Sequence, residues 1–248
     1  MGDETEMKLI SISLSSNCIK EPRCSFCYNQ AKHYRYNGYN ISNSLSNIQK
    51  KYPKVEIAIE YSGLHLDYQL HYGIEQNFTL TTMPQIITET FVKCIKGCGC
   101  KAISLSFDSQ KCSIDEWIAK AKIVTSFGLP VSCNYLIEHI PMNIPSKLLK
   151  NCDQLNLLTM KPTGKLSDKE LKIIKLEILS LQRNYKVVVD NCLGVQLGYI
   201  KECKAGKDFI HILPNGNIEP CSFSSQCFLW KKQIEYVVNE GIYKINES

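Results

Sequence analysis

Seven short apolar runs recur along the chain with helical patterns between them: "KLISISL" (8–14), "KVEIAIE" (54–60), "FTLTT" (78–82), "KAISLSF" (101–107), "PVSCNYLI" (130–137), "QLNLLT" (154–159) and "YKVVVD" (185–190). Strands that alternate with helices pair in parallel, because each right-handed crossover returns the chain to the same end of the sheet. The runs read as near-continuous rather than alternating, which predicts a sheet covered on both faces, as in a doubly covered sheet or a barrel. All strand-to-helix loops of such a fold share one rim, and its chemistry is expected there.

Several boundaries are legible. Ser113 with Glu116 and Ser167 with Glu170 have the spacing of capping boxes, in which each side chain satisfies an amide that the helix start leaves orphaned. A third helix is expected after Thr82, with Pro84 in its first turn, and Gly128 is expected to stop the helix of 113–127. After Asp190 the pattern changes to cysteines, glycines and one hairpin, "FIHILPNGNIEPC", where Asn215-Gly216 is predicted to supply the positive φ angles of a tight turn. We therefore divide the chain into a βα part, 1–190, and a small C-terminal module, 191–248, that includes a terminal helix.

The 248 residues are 44% apolar, enough for one sizeable core. "MGDETEMKLI" carries acidic residues where a signal peptide has a basic region, and no later stretch has the unbroken apolar length of a membrane span. A soluble cytoplasmic protein is the expectation, with no membrane partner. Thirteen cysteines without an export signal argue against a disulfide framework and for metal ligation. The charge of +5 comes from scattered lysines, which reads as a solvated surface rather than a nucleic-acid face.

"CIKEPRCSFC" (18–27) follows the first strand directly and so lies on the functional rim. Three thiolates can hold three irons of a cubane 4Fe-4S cluster and leave the fourth iron open. Structural zinc is almost always saturated by four protein ligands, and electron-transfer clusters usually take four cysteines.

On these residues the sequence resembles the radical S-adenosylmethionine (radical SAM) enzymes. Their signature after the first barrel strand is Cys, three residues, Cys, two residues, Cys, with an aromatic before the last cysteine. Cys24, Phe26 and Cys27 match, and the gap from Cys18 is five residues instead of three. The resemblance implies an α/β fold of the partial (β/α)6, TIM-like barrel type. It further implies a 4Fe-4S cluster on Cys18, Cys24 and Cys27, and S-adenosylmethionine (SAM) chelating the open iron. Reductive cleavage of SAM then gives a 5'-deoxyadenosyl radical that abstracts hydrogen from a substrate, the protein positioning the cofactor and excluding water.

Further positions follow the family one at a time. Ser62 and Gly63 in "EYSGLHLDY" stand where a Gly-Gly-Glu stretch holds the SAM amino group, but Leu64 replaces the acidic residue, with Asp67 nearby as a substitute. Ser106 and Asp108 in "SLSFDS" and Asn134 in "SCNYLIE" fall where polar groups reach SAM, and all three also suit ordinary strand-end caps. Phe26 is placed to pack on adenine or to fill the core.

In the C-terminal module, Cys192, Gly198, Cys203, the hairpin, Cys221 and Cys227 resemble the shortened SPASM extension called Twitch. That resemblance implies a second, auxiliary 4Fe-4S cluster on Cys192, Cys203, Cys221 and Cys227; a zinc site on the same residues is the alternative. Cys94, Cys98, Cys100, Cys112, Cys133 and Cys152 read as structural thiols, and His65, His71, His139 and His211 as ordinary histidines.

The expected function is radical SAM chemistry in peptide or protein modification, with cofactor or small-metabolite biosynthesis as the alternative. A ferredoxin or flavodoxin is the expected electron donor. Only about seven residues precede the first strand, so no leader-peptide-binding domain is expected ahead of it. The competing classes are a non-catalytic zinc or iron-sulfur module and a two-cluster electron carrier.

Overall fold

A computed structural model describes residues 7–14, 37–63, 77–159 and 166–222. In chain order the elements are β1 (Leu9–Ser13), α1 (Gly38–Lys51), β2 (Glu56–Glu60), β3 (Phe78–Thr82), α2 (Glu89–Gly97) and β4 (Cys100–Phe107). There follow α3 (Ile114–Ser126), β5 (Val131–Ile137), α4 (Ser146–Leu149), β6 (Gln154–Thr159), α5 (Asp168–Gln182), β7 (Val187–Val189), α6 (Asn191–Gln196), β8 (Phe209–Ile212) and β9 (Ile218–Glu219). Every expected strand is present and the class is α/β. The expected C-terminal helix lies outside the described residues.

The chain forms two compact units, one of Met1–Phe78 with Lys204–Ser248 and one of Thr79–Cys203. In the first, the strand order is β2-β1-β8-β9. β1 pairs in parallel with both β2 and β8, Ile10 lying opposite Ile57 and Ile210, and β9 returns antiparallel to β8. The C-terminal hairpin therefore continues the sheet past its first strand. On α1, Ile41, Leu45 and Ile48 are buried at helical spacing.

In the second unit the order is β3-β4-β5-β6-β7, parallel from β4 to β7. Its core joins Ile103, Leu105, Val131, Leu155 and Leu157 of the strands to Trp117, Ala121 and Val124 of α3 and Ile174 and Ile178 of α5, all buried. Trp117 Nε1 also donates to the Leu105 carbonyl at 3.4 Å.

Three local expectations are corrected. The runs alternate more than they first read: in β4 and β6 one face is buried and the other, carrying Ser104, Ser106, Gln154 and Asn156, is half-buried. The serines and amides sit at period two among the aliphatics, so only one face has the composition of a covered sheet. The segment after Thr82 is a 3-10 turn over Pro84–Ile86, and α2 begins later, with Thr88 Oγ1 accepting from the Phe91 amide. Proline suits the short turn, while the threonine satisfies the helix's orphan donor. Finally, only Gly216 of Asn215-Gly216 has positive φ, at 88°. Leu213 and Asn217 pair across a three-residue loop in which the Gly216 amide donates to the Leu213 carbonyl at 2.9 Å. That is a type I turn closed by one left-handed glycine.

The helix starts differ in detail. Ser167 and Glu170 form the full reciprocal box, whereas at Ser113 the hydroxyl accepts from the Glu116 amide at 3.1 Å. Gly128 stops α3 with φ 72°.

Burial pushes the thiols of Cys100 and Cys152 up to about 11 and raises that of Cys133 as well. These groups stay protonated in the folded protein at pH values where the unfolded chain has lost the proton, so their contribution is complete below about pH 9 and lost as pH rises toward 11. Urea midpoints are expected to fall across that window, and to fall less steeply in Cys133→Ala; parallel profiles would contradict the assignment of these thiols to the core.

Candidate functional site

In the unit of Thr79–Cys203, register places Ser106 opposite Asn134 and Asn134 opposite Asn156, with Ser104, Ser132 and Gln154 forming the next row. Alternation along the strands turns these six away from the helix-covered core and onto one polar face. Two of the expected cofactor residues, Ser106 and Asn134, are thus cross-strand neighbours. The amides are linked: Gln154 Nε2 donates to Asn156 Oδ1 at 2.6 Å, and Asn156 Nδ2 donates to Asn134 Oδ1 at 2.7 Å. Gln154 and Asn156 match no motif; their signal in the sequence is the polar parity of "QLNLLT".

Asp108 organises the turn into α3. Its Oδ1 accepts from the Gln110 amide, and its carbonyl accepts from the amides of Lys111 and Cys112, each at 3.0 Å. On the other parity of the same strands, a cavity of about 440 Å³ opens beside Phe107 and Tyr135, whose rings stack at 6.1 Å, and Met142, whose carbonyl accepts from the Tyr135 hydroxyl.

In the other unit, Ser62 is half-buried and Gly63 buried, directly after β2. Beneath them, β1, β2 and β8 share a hydrogen-bonded cluster. Ser11 Oγ donates to Glu60 Oε1 at 3.1 Å and Ser13 Oγ to Glu60 Oε2 at 3.3 Å, while His211 Nδ1 lies 3.1 Å from Ser11 Oγ. Ser11 spends its single proton on Glu60, which leaves its oxygen to accept, so the imidazole donates from Nδ1. His211, read from sequence as ordinary, is 1% exposed and belongs to this cluster. The alternating serines of "LISIS" are its trace in the sequence. Imidazole 15N shifts are expected to show a proton on Nδ1; a ring protonated only at Nε2 would overturn this polarity.

The metal candidates divide in the same way. Cys18, Cys24 and Cys27, Phe26, and Cys227 lie outside the described residues, as do Leu64 and Asp67. Cys192 is half-buried on α6, whose start is capped by Asp190 accepting from the Leu193 amide at 2.6 Å. Gly198 ends α6 with φ 73°, and the chain folds back so that the Tyr199 amide donates to the Gly194 carbonyl at 2.9 Å. Ile200 packs directly over Gly194, where a Cβ would meet its Cδ1 at 2.7 Å. The return carries buried Cys203 to Asn191, whose Nδ2 donates to its sulfur at 3.5 Å. Cys221, also buried, follows β9 in the other unit. Among the described residues, no three His, Cys, Asp or Glu side chains gather as a metal site, and no helix is long and apolar enough to cross a membrane.

No protein-family model matches the sequence, and no curated protein does. Among solved structures, SuiB of Streptococcus suis, crystallised bound to precursor peptide SuiA, superimposes with a TM-score of 0.68 at 16% identity over 97% of this chain. The chain has the fold of SuiB. It spans 66% of the SuiB chain. Two weaker likenesses decide nothing further. Coproporphyrinogen III oxidase (HemN) of Escherichia coli, a radical SAM enzyme, gives a TM-score of 0.44 at 11% identity, over 72% of this chain and 53% of that one. The N-terminal domain of a putative aldolase from Bacteroides vulgatus gives 0.47 at 16% identity, over 96% and 83%.

Proposed function

We propose that the chain is a radical SAM enzyme acting in peptide or protein modification. The observation that carries this reading is the three-thiol stretch that begins immediately after β1 in a chain of this fold. Cys18, Cys24 and Cys27 have the donor chemistry of an iron-sulfur site and would hold the SAM-binding cluster. When bound, such a cluster supplies the electron that cleaves SAM reductively, and the 5'-deoxyadenosyl radical so released abstracts hydrogen from the substrate.

The chain's own residues bind and orient. Ser62 and Gly63 would take the SAM amino group, and Ser106 and Asn134 offer adjacent polar groups on the β4–β5 face. Asp108 would contribute while organising the turn that ends β4. Phe26 would pack on adenine. A face built from neutral serines and amides hydrogen-bonds a ligand without competing for a proton.

Residues 191–248 would form the auxiliary module, with Cys192, Cys203, Cys221 and Cys227 as the second cluster's ligands. The Asn191 amide donated to Cys203 supports this, because hydrogen bonds to sulfur tune iron-sulfur sites. A peptide substrate is favoured by the likeness to SuiB, which was crystallised with a precursor peptide; a ferredoxin or flavodoxin would deliver the electron.

The test is anaerobic reconstitution followed by metal analysis and reduction in the presence of SAM. Two four-iron clusters and release of 5'-deoxyadenosine are expected; zinc in place of iron, or iron without cleavage, would contradict the reading. Cys221→Ala is expected to lose one cluster's worth of iron, about half the total, and to keep the SAM-binding cluster. Undiminished iron in that variant would remove Cys221 from the ligand set.

A further inference from the structure

We infer that Asn156, backed by Gln154, is a positioning residue that locks the Asn134 side chain with its NH2 group outward, so that Asn134 meets a hydrogen-bond acceptor on the ligand. The inference rests on the reading of Asn134 as a SAM-binding residue.

The geometry gives the amide chain a direction. Gln154 and Asn156 are two residues apart on β6 and project on the same face, and Asn156 lies directly opposite Asn134 on β5. With Gln154 Nε2 donating to Asn156 Oδ1 and Asn156 Nδ2 donating to Asn134 Oδ1, each NH2 is spent on the next carbonyl. The chain stops at Asn134, whose carbonyl is engaged and whose NH2 has no partner among the described residues. The cross-strand neighbour on the far side is Ser106, a hydroxyl that can donate as well as accept. A ligand arriving over Asn134 therefore meets a donor held in one rotamer, and the groups that suit it are a carboxylate, a hydroxyl or a ring nitrogen. A free asparagine could offer either edge by turning about its last bond; the coupled one turns only if Asn156 and Gln154 turn with it.

The substitution Asn156→Asp separates the two directions. The carboxylate it introduces still accepts from Gln154 but has no proton for Asn134, so Asn134 must turn to donate inward and present its carbonyl outward. Electrostatics alone would strengthen binding of a sulfonium cation by an added carboxylate and weaken binding of the ligand's own carboxylate. A loss of affinity shared with the uncharged Asn156→Leu consequently reports the lost donor to Asn134.

The experiment measures equilibrium binding of radiolabelled SAM to the anaerobically reconstituted full chain without reductant, so that no turnover contributes. Asn134→Ala, Asn156→Leu and Asn156→Asp are each expected to weaken binding about five- to tenfold, the size of one well-formed hydrogen bond. The Asn134→Ala/Asn156→Leu double variant should weaken it no further than Asn134→Ala alone, as for two residues acting through one contact. Loss in Asn134→Ala with Asn156→Leu and Asn156→Asp within twofold of wild type overturns the inference and leaves the reading of Asn134 standing. Unchanged affinity in Asn134→Ala removes that reading and the inference with it. Should Asn156→Leu fail to fold, Asn156→Ala takes its place as the uncharged variant beside Asn156→Asp.

Discussion

Replacing Cys24 with alanine is expected to abolish release of 5'-deoxyadenosine from SAM, a loss of at least about a hundredfold, on the order of 3 kcal/mol or more in barrier. Three thiols leave no spare: with one removed, the proposed site would keep two protein ligands and would no longer suit an open-position cluster. The effect should be confined to chemistry and iron content. The core of the preceding strand and its neighbours is supplied by Ile10, Ile12, Ile57, Ile59 and Ile210, each at most 2% exposed. Thermal unfolding of Cys24→Ala should therefore follow that of the wild-type apoprotein. Continued 5'-deoxyadenosine release would contradict the radical SAM reading, whereas a collapsed fold would move Cys24 from ligand to structural residue.

Trp117→Ala is expected to be among the most destabilising single changes in the unit of Thr79–Cys203. Trp117 is 0% exposed, reaches from α3 onto β4, and donates its indole N–H to the Leu105 carbonyl. Truncation leaves a large cavity and withdraws that donor, which together cost about 3–5 kcal/mol. Urea denaturation reads this as a lower midpoint at unchanged slope. Leu176→Ala, on exposed α5 surface at 61%, should shift stability by no more than about 0.5 kcal/mol. Equal shifts in the two variants would mean that α3 is not the core-bearing helix its burial indicates.

Much of this architecture is legible in the residues. Strand existence follows from runs such as "KAISLSF" and "QLNLLT", and the Ser167 box and Gly128 stop are local chemistry that long-range packing had no reason to override. What escaped depends on parity or on distant partners. α1 is rich in serine and asparagine, which favour turns; only the Ile41, Leu45, Ile48 stripe betrays it. The loop at Gly216 has three residues because Leu213 and Asn217 pair, a register that the Asn-Gly dipeptide does not specify. The candidate site divides likewise. Cysteine spacing proposes thiol ligands, and motif position proposes Ser106, Asp108 and Asn134. Asn156, Glu60, Ser11 and His211 emerge only when strands from separate parts of the chain are laid side by side.

The seating of β8 against β1 sets an order of events during synthesis. Ile10 finds its β8 neighbour in Ile210, so one flank of this strand waits for about two hundred further residues of synthesis before it is sealed. Through that interval its unpaired amides and carbonyls invite a foreign strand, and nascent chains halted short of residue 209 should be the ones that chaperones retain.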